Sequence, residues 1–271
     1  MPCSASSAPQ LGDHDKIISL IIDLLSDDLP SLKSCALVCR SWTSHARTHI
    51  FYSITLPITG YDRIDSPPFV LLNMFQKDSR AAHSVRSARL LGPISRVRLY
   101  PSLRIVRGVF HFPLHPNIRV LYLSNFTIAG FLELFDIVDT LPHIEKLVVK
   151  NPAVYRWDGQ RHPAYGPLNM PALRILHWND DDVADPARGN VDLVLEHAAL
   201  VDALCAAGIL SRLTFLHLRI TPPCFHQWTP KFPVMSQSLQ HCTVCVPVIE
   251  GEDTDDQQVS QLRMFYILIS S

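Results

Sequence analysis

The chain has little charge for its length, and neither sign dominates. Charged residues make up 18% of its 271 residues, and 24 Lys and Arg stand against 25 Asp and Glu. The formal net charge is therefore −1, which gives no cationic surplus for a phosphate backbone or an anionic membrane. We expect no nucleic acid and no membrane among its partners.

Glycine is scarce and widely spaced. The closest two of the ten glycines, Gly159 and Gly166, lie seven positions apart. The dinucleotide-binding fingerprint, the P-loop and the nucleophile elbow of hydrolases all require closer glycines, so none of them can occur here. The zinc-protease motif HExxH is also absent.

Long apolar runs and a recognisable export signal are lacking too. No run approaches the ~18 residues of a membrane span, and the first ten residues have neither a basic segment nor an apolar one. The seven cysteines are therefore expected to be reduced thiols in a cytoplasmic or nuclear protein, not a disulfide framework.

The first apolar segment has more apolar surface than a small helical unit can bury. On a helical wheel over 15–25, seven apolar side chains fill about 200° of arc, whereas a core-facing helix needs only about 100°. They are Ile17, Ile18, Leu20, Ile21, Ile22, Leu24 and Leu25. We expect this helix to have a second partner. Further helices are predicted over 32–42 and 44–51, followed by a short strand over 53–56.

These residues resemble an F-box. The pattern runs Ile17-Ile18-x-x-Ile21-Ile22-Asp23-x-Leu25, then Leu32-x-x-Cys35-x-Leu37-Val38-Cys39-Arg40-x-Trp42, then Ala46-Arg47-x-x-Ile50-Phe51. It is similar to the F-box of large families from mushroom-forming fungi, and the Leu-Val-Cys-Arg-x-Trp run is its most specific part. The family usually opens with Leu-Pro, where this chain has Asp13-His14-Asp15.

The resemblance implies a three-helix F-box over 13–56 that docks a Skp-type adaptor and, through it, a cullin. The residues implied to contact the adaptor are Ile17, Ile18, Leu20, Ile21, Ile22, Leu25, Leu37, Val38 and Trp42. Without the family pattern, a helical subdomain packed on the rest of the same chain accounts for the same residues, and this alternative stays open.

Beyond residue 84 the phrase L-x-x-L-x-L recurs in hydrophobic type. Full copies begin at Ile118, Ile144, Leu173, Leu213 and Leu239, with a weaker copy at Val85. Most of the spacings lie in or near the ~20–29 residues of leucine-rich repeats, and helical patterns over 69–75, 131–138 and 194–205 lie before and between the strands. The expected fold class is α/β, an F-box followed by an irregular leucine-rich-repeat-like solenoid. An ordinary α/β domain with parallel strands is the alternative.

The predicted organisation has four parts. A flexible tail (1–12) precedes the F-box (13–56), a linker with its first helix (57–84) and a repeat domain that binds the target (85–271). The chain stops in the apolar residues 265–269, where a solenoid needs a polar cap, so a truncated repeat domain remains open.

The repeats predict which side chains face solvent. On a strand with period two, the fourth and sixth residues of each repeat point inward and the fifth and seventh outward. The predicted target-binding residues are Tyr122, Lys150, His177, Asn179, His217 and Arg219. Their aromatic, imidazole and cationic chemistry suits an acidic or phosphorylated partner, and protonation of the histidines below about pH 6.5 is expected to strengthen the attraction. An ordinary solvated sheet face is the alternative.

The sequence offers little for catalysis or metal binding. Cys242 and Cys245 form a CxxC, but residues three apart on a strand point to opposite faces, so Cys242 is expected to be buried and Cys245 exposed. No metal and no cofactor are predicted. The predicted function is the non-catalytic substrate-recognition subunit of an SCF-type (Skp–cullin–F-box) ubiquitin ligase. The alternatives are an adaptor-binding scaffold outside ubiquitination and a hydrolase with a dispersed Ser/Cys–His site.

Overall fold

The computed structural model describes most of the chain in segments. These are residues 11–58, 67–77, 79–92, 117–128, 134, 137–138, 140–154, 172–179, 191–220, 222–235, 237–248 and 263–270. The fold is α/β, as predicted: three N-terminal helices precede a sheet in which seven strands run parallel.

The three N-terminal helices are α1 (Leu11–Leu24), α2 (Leu29–Cys35) and α3 (Arg40–Ile50). We call residues 11–50 the head. The Asp28 carboxylate caps α2, since its Oδ1 accepts a hydrogen bond from the Ser31 backbone N–H at 3.2 Å. A buried cluster centred on Ile22, Leu32 and Ala46 holds the helices together.

The predicted second helix over 32–42 is wrong, because the chain turns within it. Helix α2 ends at Cys35, and α3 begins at Arg40 after Cys39 in an extended conformation. The Thr43 hydroxyl donates to the Ala36 carbonyl at 2.6 Å and so satisfies a carbonyl that a continuing helix would bond to its own backbone. This bond spans seven residues, so the period of the apolar side chains does not reveal it.

The strands follow in chain order. They are β1 (Ser53–Pro57), β2 (Ser87–Leu91), β3 (Val120–Ser124), β4 (Thr127–Ile128), β5 (Lys146–Lys150), β6 (Ala153–Val154), β7 (Ile175–Asn179), β8 (Phe215–Arg219), β9 (His241–Val248) and β10 (Arg263–Ser270). Eight form one sheet in the order β1-β2-β3-β5-β7-β8-β9-β10, and β4 pairs with β6. All neighbours in the large sheet are parallel except β10, which is antiparallel to β9.

All six predicted repeat strands, including the weak copy that begins at Val85, lie in this sheet next to one another. Strand β1 lies at the end of the segment predicted as 13–56, and it is also the first strand of the sheet. The apolar residues 265–269 belong to β10, whose backbone pairs with β9 along its length.

Helices pack against one side of the sheet. They are α4 (Pro67–Lys77), α5 (Ser79–Ser84), α6 (Val191–Ala206), α7 (Pro222–Trp228) and α8 (Phe232–Met235), with short 3-10 turns at Leu210–Arg212 and Thr229–Lys231. The predicted helices over 69–75 and 194–205 are thus confirmed. Of the predicted helix over 131–138, Leu134, Ile137 and Val138 are described; they are helical and buried.

The core lies between these helices and the second and fourth residues of the seven parallel strands. These strand residues are Ile54, Leu56, Ala88, Leu90, Leu121, Leu123, Leu147, Val149, Leu176, Trp178, Leu216, Leu218, Cys242 and Val244, and all are buried. The predicted inward direction of the fourth and sixth repeat residues is therefore confirmed. None of the helices in the described segments is long and apolar enough to cross a membrane.

The residues that follow strands β2, β3 and β5 form a ladder of hydrogen bonds. Asn125 and Asn151 have left-handed backbones, with φ of 59° and 49°. The Asn151 side-chain amide donates to Asn125 Oδ1 at 3.1 Å, and the Asn125 amide donates to the Gly92 carbonyl at 3.4 Å. This ladder fixes the carboxyl ends of three strands relative to one another. The ladder was not predicted from the sequence, although Asn at the same place after two strands is a residue that tolerates the left-handed conformation.

Candidate interaction surfaces

The wide apolar arc of α1 consists of two separate stripes. Ile22 is fully buried, and Ile18 and Leu25 pack beside it against the cluster inside the head. The outer stripe is exposed, with side-chain exposures from 42% to 87%; its members are Ile17, Leu20, Ile21 and Leu24. Their spacing of i, i+3, i+4 and i+7 places them on one helix face. The predicted excess of apolar surface therefore remains uncovered by the described part of this chain.

Polar contacts fix the rotation of α1. The His49 ring Nε2 lies 2.7 Å from the Asp23 carboxylate, and the Ser41 hydroxyl donates to the Asp15 carboxylate at 3.1 Å. Both contacts join α1 to α3. They hold the inner stripe against the head and leave the outer stripe facing solvent.

The other predicted adaptor contacts lie in different environments. Leu37 and Val38 are exposed in the turn between α2 and α3, whereas Trp42 is half-buried against the cluster of the head. Ile22, another predicted adaptor contact, is fully buried in the cluster of the head. Leu24 was not among the predicted contacts but is the most exposed residue of the stripe. Its position in the apolar arc of the first helix could have identified Leu24 as a contact residue.

The second surface is the side of the sheet opposite the helices. We call the outward positions of the seven parallel strands the outer face. The strand register places Tyr122, His177 and His217 in one row, and Lys150, Asn179 and Arg219 in the next. All six residues predicted to bind a target therefore lie on this face. The same face also carries four residues that were not predicted as target contacts: Arg89, Lys146, Phe215 and His241.

At one end of the outer face, two cations approach one aromatic ring. The Arg89 guanidinium lies 4.6 Å from the centre of the Tyr122 ring, and the Lys146 ammonium lies 5.9 Å from it. Both distances suit cation–π attraction, which is worth about 0.5–1 kcal/mol at exposed sites. These contacts order Tyr122 and its neighbours before any partner binds.

Next to them, aromatic rings form a column across three strands. Phe215 is stacked between His177 and His241, with ring centres 4.9 and 4.6 Å away and interplanar angles of 18° and 17°. The His217 ring lies 5.6 Å from that of His177. The His241 ring Nε2 is 3.0 Å from the Thr243 hydroxyl. Because both faces of Phe215 are covered, the column is a rigid part of the surface.

Two histidines of the outer face, His177 and His217, have lowered pKa values. Partial burial lowers the pKa of His177 to about 4, and the charges of Lys146, His217 and Lys150 add to the effect. Partial burial also lowers the pKa of His217, with Arg219, His241 and Lys150 as further causes. The expectation that these two histidines become protonated below about pH 6.5 is therefore wrong, because desolvation and nearby cations oppose it.

The structure also corrects the predicted exposure of a cysteine in the CxxC motif. Cys245 was expected to be exposed, but it is buried, with 6% of its surface accessible. Arg219 lies beside it on β8, and β10 pairs along the other edge of its strand, so both sides are covered. Burial raises the pKa of both thiols, that of Cys242 to about 11, which disfavours the thiolate that a metal requires. Within the described segments, no cluster of three or more metal-ligating residues occurs.

No protein-family model matches this chain, and no curated protein matches it.

Proposed function

We propose that the protein is a non-catalytic recognition subunit in which the head docks a Skp-type adaptor and the outer face holds a target protein. The observation that carries this proposal is the exposed outer stripe of α1. The resemblance of residues 13–56 to an F-box names the partner, and through that adaptor the chain would join a cullin-based SCF-type ubiquitin ligase.

The outer stripe has the size of a docking site. Fully burying a Leu or Ile side chain is worth about 1.5–3 kcal/mol, so burying the remaining exposed area of four such residues contributes several kcal/mol. A dissociation constant near 1 μM corresponds to about 8 kcal/mol. The exposed Leu37 and Val38 of the same head add further apolar surface.

The arrangement of the sheet supports the second half of the proposal. Successive repeats add successive parallel strands in chain order, and the helices of the described segments contribute to the core on the inward side of the sheet. An irregular leucine-rich-repeat-like solenoid has this organisation, and it leaves one broad sheet face open to a partner. No side chain of this subunit would perform chemistry, since the complex would act by bringing a target lysine close to the ubiquitin-loaded enzyme.

The test is a binding measurement with purified full-length chain and a recombinant Skp-type adaptor. We expect Leu20→Asp to weaken adaptor binding about a hundredfold, because the carboxylate would have to be desolvated in the interface. Leu20 is exposed, so the variant should remain folded, which circular dichroism checks. Val70→Asp on α4 is the matched control, since it also places a carboxylate at an exposed aliphatic position, outside the head.

Equal adaptor binding by Leu20→Asp and Val70→Asp would contradict the proposed docking site. Reconstitution with the cullin then separates ubiquitin ligation from a scaffold role. Adaptor binding without cullin recruitment would favour the scaffold.

A further inference from the structure

The two edge strands of the large sheet differ in how well they are protected against pairing with another chain. Strand β1 forms one edge and β10 the other. Strand β1 has five residues and ends in Pro57, and a short strand and a proline both limit pairing at a sheet edge. Strand β10 has eight residues and no proline, and Arg263 at its start is its only charged residue. Its sequence therefore lacks the devices that protect an edge.

One side of β10 remains open to a further strand. Strand β10 pairs with β9 residue by residue, from Arg263 opposite Val248 to Ser270 opposite His241. Within the described segments, β9 is the only strand that pairs with β10. The N–H and C=O groups of a strand point to both of its sides, so about half of those in β10 point away from β9. Pairing with β9 holds these groups in a regular row.

The chemistry of β10 suits another apolar strand. Between Arg263 and Ser270 the sequence is Met-Phe-Tyr-Ile-Leu-Ile, in which aromatic and β-branched residues favour strand pairing. A second copy of this chain carries the same open strand. Pairing of β10 with β1 of another copy would build an open filament, but Pro57 and the shortness of β1 oppose it. Pairing of β10 with β10 closes after two copies.

The charge of Arg263 selects the direction of this pairing. Two parallel β10 strands would place their Arg263 side chains next to each other, whereas antiparallel strands separate them. A two-fold axis between antiparallel strands places one residue opposite itself. With Ile267 at that position, Met264 lies opposite Ser270 of the second copy, and both Arg263 residues lie beyond the paired segment. Their Cα atoms are then about 27 Å apart, eight residues at about 3.4 Å each.

We propose that β10 is a dimerisation strand, through which two copies of this chain pair antiparallel about a two-fold axis at Ile267. The pairing joins two eight-stranded sheets into one continuous sheet. The head precedes β1 at the opposite edge, about 34 Å from β10 at seven strand spacings of about 4.8 Å. The outer stripe of α1 therefore takes no part in this contact.

The first experiment measures the mass of the purified full-length chain by sedimentation velocity. We expect a dimer at about 10 μM, a concentration typical of a moderate-affinity complex. Ile267→Lys should weaken the dimer about tenfold or more, because it places two ammonium groups directly opposite each other. Thr55→Lys is the matched control, since it adds the same side chain at an exposed position of the other edge strand, and it should stay dimeric. Circular dichroism checks that both variants are folded.

Mixing two variants distinguishes charge repulsion from damage to the fold. Ile267→Asp should also be monomeric on its own, because it places two carboxylates opposite each other. An equimolar mixture of Ile267→Asp and Ile267→Lys should form a heterodimer, since opposite charges then face each other. Mixing would not restore a dimer if either variant had lost the structure of β10.

Disulfide cross-linking tests the register of the two strands. Opposite residues of an antiparallel pair have Cα atoms about 4.5–5.5 Å apart, within the range of a disulfide. With oxidised glutathione as the oxidant, Ile267→Cys should form a covalent dimer linked through residue 267. Arg263→Cys has the same number of thiols but places them about 27 Å apart, so it should not. Peptide mass spectrometry identifies the linked residues.

Several outcomes would overturn the inference. One is a monomeric wild-type chain at about 100 μM, ten times the concentration at which a dimer is expected. Another is assemblies that keep growing beyond two copies. A dimer that Leu20→Asp disrupts and Ile267→Lys does not would place the contact on the outer stripe of α1 instead. Equal cross-linking of Ile267→Cys and Arg263→Cys would contradict the antiparallel register.

Discussion

At the scale of single residues, small features at the strand ends set the register of the sheet. A Cβ atom added at Gly92 would clash with the Asn125 carbonyl oxygen, and the Gly92 N–H donates to the Ser124 carbonyl at 2.7 Å. The obstacle is backbone, which cannot swing aside as a flexible side chain would. Glycine is needed here for close approach of two strands.

We therefore expect Gly92→Ala to lower the free energy of unfolding by about 1–3 kcal/mol, the usual cost of overpacking. Chemical denaturation monitored by circular dichroism measures it, with Ser44→Ala on the exposed surface of α3 as the control. An unchanged denaturation midpoint would mean that the ends of β2 and β3 can move apart without cost.

The histidines of the outer face predict how stability depends on pH. Folding lowers the pKa of His177 from 6.5 to about 4, so between these values the unfolded chain binds more protons than the folded one. Stability is then lost as the pH falls from about 6.5 to 4, because protonation favours the unfolded chain. Since His177 is partly exposed, solvent screening reduces the effect to about 1 kcal/mol.

His177→Gln removes this titration while it keeps a polar side chain. We expect the difference in unfolding free energy between variant and wild type to shift in favour of the variant on going from pH 7 to pH 4.5. His143→Gln removes an exposed imidazole before β5 and serves as the control. A difference that stays constant over this pH range would show that His177 titrates alike in both states.

At the scale of elements, the sequence pattern identified the strands better than it identified the helices of the head. Each strand has apolar residues at alternate positions, such as 121 and 123, and pairs with a neighbour of the same pattern. The residues that the alternation predicts to be buried are therefore the ones that are buried in the sheet. In the head, by contrast, the Thr43–Ala36 hydrogen bond ends a helix that the apolar spacing would continue. Likewise, an apolar arc of about 200° does not predict which half of α1 faces inward. Packing against α3 determines that orientation.

The two stripes of α1 predict opposite results for one type of substitution. Ile22→Ala should lower the free energy of unfolding by about 2–5 kcal/mol, since it leaves a cavity in the cluster of the head. Leu20→Ala should change it by less than about 0.5 kcal/mol, because Leu20 is exposed. Thermal unfolding of the purified chain compares them, and similar losses for both would show that the outer stripe is covered in the free protein.

At the scale of the whole molecule, the head and the sheet are joined by direct packing. The Phe51 ring at the end of α3 meets the Phe75 ring of α4 edge-on at 5.9 Å, and the Tyr52 carbonyl accepts hydrogen bonds from the N–H groups of Arg86 and Ser87 at the start of β2. Helix α3 thus leads directly into the sheet. An adaptor on the outer stripe of α1 and a target on the outer face would accordingly be held at a defined separation.

The composition of the outer face could be predicted partly from the sequence, since the repeat pattern places six of its residues at outward positions. The ring stacking and the pKa shifts on this face could not be predicted. The stacked column of His177, Phe215 and His241 depends on the register of three strands whose residues are 38 and 26 positions apart in sequence. The lowered pKa of His177 likewise depends on burial within the sheet and on Lys146 and Lys150 from a neighbouring strand. The lowered pKa of His217 depends in the same way on burial and on Arg219, His241 and Lys150, three residues of which two lie on other strands, so no local sequence pattern predicts it.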